Sequence, residues 1–448
     1  MEAATTAREA VRLINHDCNG RERSSSNDAR GGNESMAALS EPVTEVPADL
    51  PARRQLTLAN RSGTADQWQL GCSIGREMEI LPKAFLEMGP AVKGCLVAGV
   101  TEPFVPPHDP SWEREAETIR ASHLAAVALQ LEHENSGDHS GLASEVFHRA
   151  SLNDATKSLA IEFTARRPMQ ALRDKSIPFV VIKGPAVARF YGRPDTRFFS
   201  DIDIMVAPRH YRSAVTVLAD CGFKRREGHV QPWPWFERLC VEGANFYDSR
   251  GGNLDLHHHI APWAFSQKLR ADEMVHRSEE GILAGMEVRF ASASDCLAIA
   301  CLHVLNDLWK EDPSLQSWRD VFTLMTYLGP EGSHRAFALT GLAWFEEIAR
   351  TALDSIVPGA TKEWERSRHL SVLKRWRLQA MGWNGSSVVA RHPAGWAFRL
   401  PLGRAMAFTV GGLVPSRNYV RLQHHGYWNY WRESVRSVRE AAGGRDVR

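Results

Sequence analysis

With 448 residues, 43% of them hydrophobic and 24% charged, the chain has the balance of a globular protein that buries a sizeable core in two or three packed units. It has no apolar run of the roughly 18 residues a membrane span needs, and its opening MEAATTAREAVRLINHD carries charge where a signal peptide is apolar. A soluble, cytoplasmic protein with no membrane partner is therefore expected. The net charge of +1 hides an asymmetry: Thr351 to Arg448 holds 16 Lys and Arg against 6 Asp and Glu, while the first 350 residues hold 38 against 47. A basic tail of this kind draws polyanions, but solvated arginines on helical faces have the same composition, and that plainer reading ranks first. The seven cysteines are scattered without a C-x-x-C pair, which fits free thiols.

In chain order, residues 1–60 are rich in Ser, Gly, Asn, Pro and charge, a composition that cannot offset the entropy of ordering a backbone, so a disordered leader is expected. Residues 61–164 read as helical, with apolar side chains at helical spacing in EREAETIRASHLAAVALQLEHEN and a further helical pattern broken at Pro168. Residues 165–290 change character. IPFVVIKG is a short β-branched strand ended by glycine, PAVARFYG a brief helix opened by proline, and DIDIMV a second strand. PRHYRSAVTVLADCGF is a helix between Pro208 and Gly222, ANFYDSRGGNLDLHHHI a hairpin turning at Ser249 to Asn253, and MEVRFA another strand. The expected fold class is α/β, in the α+β sense: a small mixed sheet flanked by a helical N-terminal segment and a basic helical C-terminal domain over 291–448. That last domain opens with SDCLAIACLHVLNDLW, with Leu297, Cys301, Val304 and Leu308 on one face and Ser294 or Asp295 as its cap.

The chemistry concentrates in RPDTRFFSDIDIMVAP. Strand side chains alternate faces, so Asp201 and Asp203 project together while Ile202, Ile204 and Val206 face the core. Two adjacent carboxylates repel, and a hard divalent cation bound through oxygen offsets that repulsion, Mg²⁺ favouring one or two carboxylates plus substrate phosphates. Asp255, between Leu254 and Leu256 on another strand, supplies a third carboxylate, enough to hold two metal ions. The pair is expected to be exposed, so that neutralising one member costs little stability. Lys183 and Gly184 end the first strand in a turn that lets backbone and positive charge approach a phosphate, and Arg197 lies four residues before Asp201.

These residues resemble the uncharacterised nucleotidyltransferase family of the DNA polymerase beta-like superfamily, in which a K-G turn, a tyrosine, an arginine and S-D-I-D followed by apolar residues occur in this order. The likeness extends to NLDLHHH, through His303 and WRDVFTLM, and into LVPSRNYVRL, from roughly Ala155 to the C-terminus. It implies Asp201 and Asp203 as the metal pair, Asp255 as the third carboxylate and Gly184 as the phosphate-turn glycine, with Lys183, Arg197 and Ser200 toward the nucleotide. It implies Mg²⁺ and a nucleoside triphosphate, whose monophosphate passes to a hydroxyl-bearing acceptor, small molecule, peptide, protein or RNA. The chain departs from the wider superfamily at Pro185, which stands where a second glycine or a serine is usual and has neither N–H nor hydroxyl to give.

Other candidates rank lower. His257 and His259 share a face with Asp255, but no second histidine pair completes a catalytic zinc site, so His257 is expected to support the carboxylates. His303 and Asp307 sit four apart on one helix, where a satisfied structural histidine is the commoner case. HHGYWNYWRESVRSVRE places Tyr427, Trp428, Trp431, Val435 and Val438 on one stripe, with Arg432, Arg436 and Arg439 beside it. Nucleic-acid binding through that helix ranks below packing on a bundle. Two alternatives to an enzyme follow: a catalytically inactive nucleotide-binding or antitoxin-like module, and, below it, an RNA-binding protein.

Overall fold

The computed structural model describes residues 81–442 except 83–84, 86–87, 99–110, 135–141, 227–234, 236–240, 308–314, 363, 365–370 and 381–399. The expected leader lies outside the described residues. Everything below concerns the unit 55–448.

Four helices come first: α1 (Pro90–Val97), α2 (Ser111–Ala121), α3 (Ala125–Glu134) and the long α4 (Leu142–Asp174). The break expected at Pro168 does not occur, and α4 runs through it. An interior proline costs a helix roughly 3 kcal/mol. Here Ile161, Ala165, Met169 and Leu172 recur at helical spacing and are all buried, as is Pro168 itself, so packing of that face outweighs the missing hydrogen bond.

The sheet follows: β1 (Phe179–Val181), the short helix α5 (Pro185–Ala188), β2 (Ile202–Val206), α6 (Tyr211–Asp220), β3 (Lys224–Arg225), β4 (Gly243–Tyr247), β5 (Asn253–His257), α7 (Ala271–Arg277), β6 (Glu279–Leu283) and β7 (Met286–Phe290). Among the described residues these strands form one seven-stranded mixed sheet in the order β3-β4-β5-β2-β1-β7-β6. β2 is antiparallel to β1 and parallel to β5, which puts the two acidic strands side by side at the centre. The β4–β5 hairpin turns where expected, and Asp248 holds it by accepting from the amides of Arg250 at 2.9 Å and Gly252 at 2.7 Å. β3 and β6 carry no apolar alternation and were not expected. Charged EEGIL becomes an edge strand because Ala284 and Gly285, both at positive φ, make the two-residue turn that folds it onto β7.

Helices then close the fold: α8 (Ala293–Asp307), α9 (Leu315–Thr340, kinked at Gly329–Pro330), α10 (Ala343–Ile356), α11 (Val372–Ala380), α12 (Leu402–Leu413), α13 (Arg417–His424) and α14 (Tyr427–Ala442). Helix α8 is buried nearly all round rather than on one face, and Leu308 lies outside the described residues. Its cap is Ser292, not Ser294 or Asp295: the Ser292 hydroxyl accepts from the Asp295 amide at 3.2 Å and donates to the Asp295 carboxylate at 2.9 Å. Arg277 grips the same carboxylate through two nitrogens, at 3.1 and 2.7 Å. Ser292→Ala is expected to lower unfolding free energy by about 1 kcal/mol, read by urea denaturation. No helix among the described residues is long and apolar enough to cross a membrane.

Candidate active site

Parallel pairing sets Asp203 of β2 directly opposite Asp255 of β5, and Asn245 of β4 directly opposite Asp255 on its other side. A polar row thus crosses three neighbouring strands, β4, β5 and β2, in the sheet. Two positions along the same face, His257 reaches back, its Nε2 3.1 Å from Asp203 Oδ1 and 3.3 Å from Asp255 Oδ2. One ligand atom from each of Asp203, Asp255 and His257 lies within 4.8 Å of the others.

Asp201 stands just before β2, outside that closest group, yet near enough to feel its charge. Burial and the Asp203 carboxylate next to it push Asp201 up to about 7. Asp203 moves the other way: burial opposes its charge, but Lys183, the His257 hydrogen bond and the more distant His303 outweigh that and hold it well below the usual carboxylate range. Lys183 Nζ lies 3.8 Å from Asp203 Oδ1. Burial works against the Lys183 charge too, and Asp203 and Asp201 more than restore it, so its pKa is raised. His257 is raised in the same manner, against the effect of burial, by Asp255 and Asp203.

The expected exposure of the pair is corrected here. Asp203 is 2% exposed, every residue of β2 being buried, and Asp201 is half-buried. Asp203 Oδ2 is buried without a hydrogen-bond partner. An unpartnered buried carboxylate oxygen is costly unless something binds it. Together with Asp255 and Asp201 it makes an oxygen-rich donor set beside a lysine, a set that fits a hard divalent cation.

Gly184 turns the chain from β1 into α5 at φ +55°, where a Cβ would lie 3.3 Å from Phe199, so glycine meets two needs at once. Pro185 occupies the first position of α5, and the following amides of Ala186, Val187 and Ala188 bond back to the carbonyls of Lys183 and Gly184. That turn spends these amides on itself, leaving Lys183 as its cation.

Arg197 sits elsewhere than expected. It is buried, its Nε and Nη2 donating to the two oxygens of Asp320 on α9 at 2.9 and 2.7 Å and its Nη1 to the Phe198 carbonyl at 3.2 Å. The Tyr191 hydroxyl donates to Asp320 at 2.6 Å, and Gln316 donates to that hydroxyl at 3.1 Å. The guanidinium is thus committed to a buried network that ties the loop before Asp201 to the C-terminal helices. Helix α4 holds the same loop, the Ser158 hydroxyl donating to the Phe199 carbonyl at 3.1 Å and accepting from its amide at 3.2 Å. Ser200 is exposed, and its carbonyl accepts from Asn253 at 2.9 Å.

Two residues matter more here than their sequence context suggests. Asp320 stands in the WRDVFTLM segment, where nothing local marks it as the partner of Arg197. His303 on α8 is the least of the groups whose charge favours ionised Asp203, a link that its spacing along the helix does not announce.

Residues 108–339 match the model of a family described as uncharacterised nucleotidyltransferase. The match begins earlier in the chain than the motifs do, taking in α2 to α4, and ends before α10. No curated protein is significantly similar in sequence. Among solved structures, the solution structure of the antibiotic-resistance factor ANT(2'')-Ia is similar at 18% identity with a TM-score of 0.30, over 41% of this chain and 91% of that one. Since the family match takes in just over half of the 448 residues and contains the whole acidic site, the chain belongs to the uncharacterised nucleotidyltransferase family, and it is a transferase.

Proposed function

We propose that the protein transfers a nucleoside monophosphate from a nucleoside triphosphate to a hydroxyl-bearing acceptor, with Asp201, Asp203 and Asp255 holding Mg²⁺. The observation that carries this reading is the register of two parallel strands, which sets Asp203 opposite Asp255 with one buried carboxylate oxygen unpartnered and Lys183 alongside. Bound Mg²⁺ supplies the positive charge that polarises the acceptor hydroxyl and neutralises the leaving pyrophosphate. Lys183, about a quarter exposed, reaches the phosphates and orients them. Asp255 is half-buried and accepts the hydroxyl proton as the acceptor oxygen bonds to the α-phosphorus and the bond from that phosphorus to pyrophosphate breaks. Arg197 acts through position: locked on Asp320, it fixes the loop that presents Asp201. His257 and Lys183 balance the charge of the carboxylates.

Binding without turnover is favoured by one observation, the inward-bonded amides after Gly184, which leave fewer donors for a phosphate. Calorimetry with ATP, CTP, GTP and UTP in Mg²⁺ and in chelator tests the site itself. The favoured nucleotide is expected to bind at least ~10-fold more tightly with Mg²⁺. Equal affinity in both conditions for every nucleotide would remove the metal from the proposal. Pyrophosphate release then separates an enzyme from a binder.

A further inference from the structure

The C-terminal helices carry apolar surface that the fold leaves open. On α12, Leu402, Met406, Val410 and Leu413 recur at spacings of four, four and three, which stacks them on one face, and all are exposed, Leu402 at 72%. The opposite side of that helix docks on the protein: Arg404 lies 3.1 Å from the centre of the Trp263 ring, and Ala405 packs with Leu400, Trp235 and Val241. On α14 the same division recurs. Its inner side places Tyr430 against Tyr419 and His424, with Glu433 2.6 Å from His424. Its outer side carries Tyr427, Trp428, Trp431 and Val435, Trp428 being 79% exposed, and exposed Arg432 and Arg436 continue the arc. Of the more distal stripe, the side chains of Val438 and Arg439 lie outside the described residues. From Pro401 to Ala442 the sequence has six arginines, two glutamates, and no lysine or aspartate.

We propose that α12 and α14 dock the protein on an anionic lipid surface, lying in the plane of the interface. The aromatic face of α14, edged by Arg432 and Arg436, together with the aliphatic stripe of α12 matches the layering of a bilayer surface, with acyl chains below, amphipathic rings at the glycerol level and anionic headgroups above. Such docking needs no spanning helix. The aliphatic stripe of α12 decides against RNA, since Leu, Met and Val offer neither a ring for a base to stack on nor a cation for a phosphate. Charge decides against a second copy of the chain: pairing the α14 faces brings exposed Arg432 and Arg436 against their own copies, and Glu433 beside them is already turned to His424. This proposal stands apart from nucleotidyl transfer and does not require it.

Sedimentation of the full chain with vesicles tests it, using phosphatidylcholine alone and phosphatidylcholine with roughly one-third phosphatidylserine. Binding is expected to the anionic vesicles, to weaken with added salt, and to be near background on the neutral ones. Arg432→Gln with Arg436→Gln is expected to weaken it about 30-fold, the effect of two arginine contacts near a charged surface. Val410→Glu and Trp428→Glu, each on an exposed position, are expected to abolish it with thermal melting unchanged. Equal binding to both vesicles, binding to neither, or variants that bind like the wild type would overturn the proposal. So would a concentration-dependent dimer, seen by light scattering, that the glutamate variants dissolve. Retention of a generic single-stranded RNA that the same variants lose, without vesicle binding, would transfer the surface to nucleic acid.

Discussion

Asp203→Asn is expected to lower turnover by about 100-fold or more, measured as pyrophosphate release from nucleoside triphosphates in the presence of a metabolite pool, with mass spectrometry used to find the acceptor that gains a nucleoside monophosphate. The amide keeps the shape of the carboxylate and removes one negative charge where cationic charge must be balanced. Burial gives the substitution a stability cost as well. Asp203 is 2% exposed, and although burial opposes its charge, Lys183 and His257 favour it more, so its folded pKa is depressed. A depressed carboxylate contributes stability that is fully present above its unfolded value near ~4 and lost as pH falls through the folded one. The gap in stability between wild type and variant, measured in chelator, is therefore expected to narrow below about pH 4. Asp255→Asn provides the second arm, because Asp255 is half-buried and its replacement disturbs the fold less. Wild-type turnover matched by both variants would sink the catalytic assignment.

The second large effect concerns stability. Arg197→Met leaves Asp320 buried without its bidentate partner, and the expected loss is about 3–5 kcal/mol, read from urea unfolding. Both side chains are nearly inaccessible, at 3% and 5% exposure, so solvent screens little of the interaction. Adding Asp320→Leu to that variant is expected to recover part of the loss, because a charge with no partner costs more than a pair replaced by apolar groups. The single variant is also expected to lower kcat more than it raises KM for the nucleotide, since the loop from Arg197 to Ser200 leads into Asp201 while the Arg197 guanidinium is spent on Asp320 and the Phe198 carbonyl. A purely additive double variant would show that the pair is not a unit. A raised KM with unchanged kcat would return Arg197 to the phosphates.

Much of this protein was legible in one dimension. Period-two alternation in DIDIMV leads one to expect Asp201 and Asp203 on one face, because side-chain direction along a strand depends only on local backbone geometry; β2 itself begins at Ile202 and leaves Asp201 just before it. The hairpin at Ser249 to Asn253, the glycine at 184 and the α/β class follow from equally local chemistry, and the motifs in chain order gave the family. Sequence alone could not decide which residues meet across the chain. Parallel pairing set Asp203 against Asp255 and, two positions on, brought His257 between their carboxylates. The same packing committed Arg197 to Asp320, 123 residues distant. It also carried α4 through Pro168 and buried an aspartate expected to lie open, because the apolar area gathered around those positions outweighed local preference. Local propensity acts over a few residues, whereas charge compensation and burial are settled by whichever distant groups the fold brings within a few ångströms.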